Sequence, residues 1–202
     1  MASFGQRGRS RSRPGGAVTS EGASPPDSAP PTAPEVESAA REACLRLLTD
    51  RPRSRRELDQ RLRSKGFEPE VAERVLDRLE QVDLVDDGAF AQAWVQSRHT
   101  YAGKGRRAMA MELRLKGVAD HHVATALAQV DDEAEATRAR ELVQRKLRSL
   151  TVPEDTQQRA AVVRKLVGVL ARRGYAQGLA FTVVRDELAA AGADTDGLDP
   201  EG

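Results

Sequence analysis

Residues 103–118 read GKGRRAMAMELRLKGV, five bases and one acid set around two methionines. A stretch of this kind suits phosphate capture, DNA reading, or one unit of a repeated structure. Gly103, Lys104 and Gly105 imitate the end of a phosphate loop, but Arg98 stands where its first glycine belongs and Gly105 where its Ser or Thr belongs. Nucleotide binding is therefore not expected. His121 and His122 are neighbours, so they leave a helix start on different faces and no third metal ligand is near. Asp86 with Asp87, and Asp131 with Asp132, resemble carboxylate pairs for acid–base work. They stand where helices begin, and there capping and the helix dipole account for them. No nucleophile elbow frames any Ser, His or Asp. The residues predict no catalytic centre, no metal and no cofactor.

Composition bounds the elements that would hold such groups. The 202 residues are 39% apolar and 31% charged, enough for one ordinary domain or a string of small ones. Seven aromatics allow only slim packing built on Leu, Val and Ala. Cys44, the one cysteine, excludes an intramolecular disulfide and fits a reducing compartment. No window nears ~18 consecutive apolar residues, so no membrane span is expected. Arg7, Arg9, Arg11 and Arg13 faintly imitate a transit peptide, but no apolar stretch follows them. The segment ASPPDSAPPTAPEVE, 23–37, has five prolines and little to bury. Residues 1–37 are expected to be a disordered tail, Arg/Ser-rich then Pro-rich, and 193–202 an acidic one.

Between the tails a pattern recurs. Leu58, Leu62, Lys65, Gly66, Phe67 becomes Met109, Leu113, Lys116, Gly117, Val118, and then Leu166, Leu170, Arg173, Gly174, Tyr175. Each glycine follows a helical stripe and precedes an apolar residue, the pattern of a helix ended by a left-handed residue. Arg55 and Arg56 fall 51 residues before Arg106 and Arg107. The chain is thus predicted to be all-α: three tandem three-helix repeats, 38–83, 84–130 and 131–192, stacked into an elongated curved array. Ser54 with Glu57 forms a capping box, Asp86, Asp120 and Asp155 cap later helices, and Val85 with Phe90 forms a staple. The third unit's first helix is expected to run from about Asp132 to Leu150.

Net charge of +1 hides a local excess, because Arg98–Gly117 holds six bases and one acid. Arg107 and Arg114, seven apart, share a face with Met111, while Met109 and Leu113 turn to the core. Arg98, His99, Tyr101 and Lys104 lie on the turn beside them. Three-helix units also resemble helix-turn-helix readers, but the outer faces lack the Asn, Gln and Arg clusters of a base-reading helix start.

The strings RSRRELDQRLRSKGF (53–67), VLDRLEQVDLVDDGAFAQAWVQSR (75–98) and GKGRRAMAMELRLKGV together resemble the RecX family of bacterial recombination regulators. The resemblance runs from Ser38 to Gly192 and is strongest from Arg53 to Val118. Where that family usually has Gly-Pro before its arginine, this chain has Gly105-Arg106. The resemblance implies a non-enzymatic modulator that binds the RecA filament on single-stranded DNA in its groove. There it would restrain ATP hydrolysis and strand exchange, as a cytoplasmic monomer. Carried over as a contact surface are Arg98, Lys104, Arg106, Arg107 and Arg114; Arg55, Arg56, Arg164 and Arg172 of the outer units come next. Asp86, Asp87, Phe90 and Trp94 also match family positions and are read as structural. A helical protein that binds single- or double-stranded nucleic acid without RecA is the other reading, disfavoured by the scarcity of aromatics for base stacking.

Overall fold

The computed structural model describes residues 32–193 and Thr195, and among them are nine α-helices and no strand. They are α1 (Ala33–Asp50), α2 (Arg55–Ser64), α3 (Pro69–Gln81), α4 (Asp87–Thr100), α5 (Arg106–Leu115), α6 (Asp120–Leu127), α7 (Asp132–Leu147), α8 (Thr156–Arg172) and α9 (Gln177–Ala190). The expectations for 1–31, 194 and 196–202 lie outside the described residues.

Each run of three helices closes its own core. Ala40, Cys44, Leu58, Leu62, Val75 and Leu79 form the first, and Phe90, Val95, Met109, Leu113 and Val123 the second. Leu142, Val163, Leu166, Leu170, Val184 and Leu188 form the third. The apolar residues recur every three or four positions, so coiling the chain aligns them on one stripe, and burying each leucine contributes about 2 kcal/mol. Cys44 is wholly buried, and that burial pushes its thiol up to about 11.

Local chemistry sets the ends of these helices. Ser54 caps α2 in the reciprocal box with Glu57, while Asp86, Asp131 and Asp155 cap α4, α7 and α8 through their side chains. At the other end Gly66, Gly117 and Gly174 have φ of 87°, 80° and 89°. The N–H groups of Phe67, Val118 and Tyr175 then reach back to Leu62, Leu113 and Leu170. Two further turns of this kind escape a search for Lys-Gly: Gly192 after α9, and Asp83 after α3, a non-glycine residue at φ 56°.

Four expectations need correction. Residues 33–37, assigned to the tail, open α1, because Pro34 lies in a first turn where its missing N–H has no intrahelical partner. Glu37 then binds Arg74 and Arg78 of α3, each at 2.7 Å. Asp120 is not a cap: Ala119 holds that position, and the Asp120 carboxylate accepts from Arg114 at 2.8 Å. Val85 and Phe90 belong to different cores, since the left-handed Asp83 turns Leu84 and Val85 back on Leu79. Finally, α7 ends at Leu147, and Ser149 and Leu150 follow in tighter turns.

Candidate functional site

The second helix of each run meets its counterpart end to end. At the N-terminus of α2, Ser54 Oγ donates to the Lys116 carbonyl at 2.7 Å, just past the C-terminus of α5. At the N-terminus of α5, the N–H groups of Gly105 and Arg107 donate to the carbonyls of Arg173 and Gly174, at 2.9 and 3.2 Å, just past α8. Positive helix ends thus face negative ones, and end groups that would otherwise need water satisfy each other.

Acids from the following unit lock both junctions. Asp87 accepts the Arg55 N–H at 2.8 Å, and Glu135 accepts the Arg106 N–H at 2.8 Å. Lys116 Nζ bridges to Glu57 at 2.9 Å. Burial opposes ionisation of Glu57, but hydrogen bonds from Arg51, Lys116 and the Ser54 N–H outweigh it and hold this carboxyl at about 2. Burial raises Asp87 despite the Arg55 N–H, and burial also pushes the Tyr175 hydroxyl up to about 12. That hydroxyl donates to the Gly103 carbonyl across the second junction.

These locks consume most of the basic stripe. Arg98 and Lys104 converge on Glu112 at 3.2 and 3.5 Å, and Trp94 donates to the same carboxylate at 3.0 Å. Trp94 is itself held between the cations of Arg98 and Lys116, each 4.2 Å from its ring centroid. Arg106 reaches Asp132, Glu135 and the Val130 carbonyl, so its role is to pin the second unit to the third. Arg114 pairs with Asp120, but both side chains are exposed and the pair holds it weakly.

Arg107 alone of the five is exposed with no acid beside it among the described residues. It has two equivalents. Ten residues before each turn glycine stands an arginine, Arg56, Arg107 and Arg164, and all three are exposed and unpaired with any described carboxylate. Arg56 lies against Gly117, and Arg107 lines a groove with Gly174. The arginine one position earlier, Arg55 or Arg106, is tied down instead. Arg56 and Arg164 are absent from the five-residue surface expected at the outset. They stand among the outer-unit arginines named next; counting back ten residues from each glycine singles them out, whereas dense positive charge favours residues that are internally neutralised.

A family model for the first three-helix domain of RecX matches residues 40–79, and one for the second three-helix domain matches 86–127. The Regulatory protein RecX of Mycolicibacterium smegmatis is 49% identical over 173 residues, covering 85% of this chain and 92% of its own. The chain belongs to the RecX family. Similarity to the Streptomyces coelicolor RecX is 50% over 188 residues, 93% of this chain and 96% of that one. The fold also matches the crystal structure of RecX from Lactobacillus salivarius with a TM-score of 0.66 at 20% identity, over 76% of this chain and 97% of that one. Among the described residues no helix is long and apolar enough to cross a membrane, and no cluster of acids, histidines or cysteine is suited to a metal.

Proposed function

We propose that this RecX-family chain is a non-enzymatic modulator of RecA, acting in the cytoplasm as a monomer. It binds the RecA filament on single-stranded DNA and restrains ATP hydrolysis and strand exchange. One observation carries the reading: Arg56, Arg107 and Arg164 recur at one register of three end-to-end helices, exposed and unpaired with any carboxylate among the described residues. Folding has no use for three free guanidinium groups, and a long anionic partner of protein and nucleic acid does. Arg98, Lys104 and Arg106 support the surface from within, and Arg114 extends it.

The test is RecA ATP hydrolysis on single-stranded DNA, titrated with wild type and with the triple variant Arg56→Glu, Arg107→Glu, Arg164→Glu. Wild type lowers the rate, and the variant, helical by circular dichroism, needs at least about tenfold more protein for the same effect, as expected when charged contacts are reversed. Equal inhibition by both would show that the row is not the working surface. No inhibition by wild type would leave the chain a nucleic-acid binder independent of RecA.

A further inference from the structure

The two junctions each form a groove beside a turn glycine, and the grooves differ in charge. Beside Gly117, Arg55, Arg56 and Arg63 share the lining with Asp59, Glu73 and Asp87, so its charges cancel. Beside Gly174, Arg107 and Arg164 line a groove of about 460 Å³ with Val167, Gln177 and Phe181, and none of its lining residues is acidic. The hydrogen bond from the Arg107 N–H to the Gly174 carbonyl fixes one arginine at the rim. Arg164 leaves α8 beside the buried Val163, and Phe181 is half-buried against the third core.

We propose that this second-junction groove binds one nucleotide unit of single-stranded nucleic acid, its phosphate between Arg107 and Arg164 and its base against Phe181. This rests on the reading of the arginine row as the working surface, and adds to it a site where the strand itself is held. Charge decides the class of ligand, because two guanidinium groups with no carboxylate beside them among the described residues favour a phosphodiester. The apolar wall decides between strand and duplex: a base reaches Val167 and Phe181 only when unstacked from a partner. A strand held at the first junction would face three carboxylates, so the site is single and asymmetric although the repeats are not.

The experiment measures binding of a fluorescent oligothymidylate to the full chain without RecA, over a range of salt. Arg107→Ala with Arg164→Ala lowers the log–log salt slope by about 0.7, the one single-strand phosphate contact that the two arginines share. Phe181→Leu keeps the core packed but removes the ring; it weakens binding about tenfold and leaves the slope unchanged. Arg63→Ala, in the acid-lined groove, changes neither. Slopes and affinities equal to wild type in the first two variants would overturn the site. So would polyglutamate that displaces the strand at matched charge while Phe181→Leu has no effect, which would assign the groove to an acidic polypeptide. RecA inhibition is read separately, so loss of the site and loss of the proposed function are distinguishable.

Discussion

Ser54 Oγ and the Lys116 carbonyl, 62 residues apart in sequence, are joined by a 2.7 Å hydrogen bond. The same oxygen caps α2 by accepting from the Glu57 N–H at 3.3 Å, so one fully buried hydroxyl serves a helix end and a repeat junction. The Lys116 side chain returns to the box at Glu57, which makes that carboxylate the electrostatic centre of the first junction.

Stability should therefore depend on acid pH through Glu57. Its carboxyl falls from an ordinary 4.5 to about 2 in the folded chain. A lowered value stabilises the fold fully above the ordinary one, and the gain is lost as pH falls from about 4.5 to about 2. Allowing for solvent screening, Glu57→Gln should cost about 1–2 kcal/mol at neutral pH. In urea denaturation the gap between variant and wild type closes towards pH 2; a gap that persists there would exclude the ionic origin.

The turn glycines should not be equivalent. All three have positive φ, which costs an alanine about 1 kcal/mol or a little more. Nothing lies within 4 Å of a Cβ added at Gly66, whereas one at Gly117 meets Arg56 Cβ at 2.6 Å and one at Gly174 collides with the backbone of Ala108. Gly66→Ala should lose about 1 kcal/mol and Gly117→Ala and Gly174→Ala about 3 or more each, because Arg56 Cβ is fixed to its backbone and Ala108 is met at the backbone itself. Equal losses at all three in chemical denaturation would mean that the junction contacts contribute nothing.

Adjacent arginines should separate stability from binding. Arg106→Ala leaves the buried Glu135 carboxylate its backbone N–H partner but no cation, and should cost about 3 kcal/mol. Arg107→Ala should stay within about 0.5 kcal/mol of wild type, as surface changes do, yet weaken the restraint on RecA. Thermal denaturation beside the ATPase assay checks both, and the reverse pattern would exchange their roles.

Trimming the N-terminus should reveal where folding begins. Removing residues 1–31 leaves α1 and the Glu37 pairs with Arg74 and Arg78 in place, so the thermal midpoint should hold. Extending the cut through Glu37 removes the first turn of α1 and both pairs, and the midpoint should drop by several degrees, as for a loss of about 1 kcal/mol in a domain of this size. No difference between the two truncations would return 33–37 to the tail.

The helices, their turns and their repetition were legible in the residues because each is a local matter. A stripe of Leu58 and Leu62, the Ser54–Glu57 box and a glycine before Phe67 act within one or two helical turns, and they recur at Met109–Val118 and Leu166–Tyr175. Where local signs have two meanings the reading slipped: Pro34 suits a tail or a first helical turn, and only Arg74 and Arg78, about forty residues on, select the helix. The candidate surface lay further from reach. Positive charge is a property of sequence, but free positive charge depends on which acid folds against it. Glu135 is 29 residues from Arg106, and Lys116 is 59 from Glu57. Among the described residues, tertiary packing brought those acids to Arg106 and Lys116 and none to Arg56, Arg107 or Arg164, because desolvating a cation at a junction is costly unless a carboxylate meets it, while a cation left in water needs no partner.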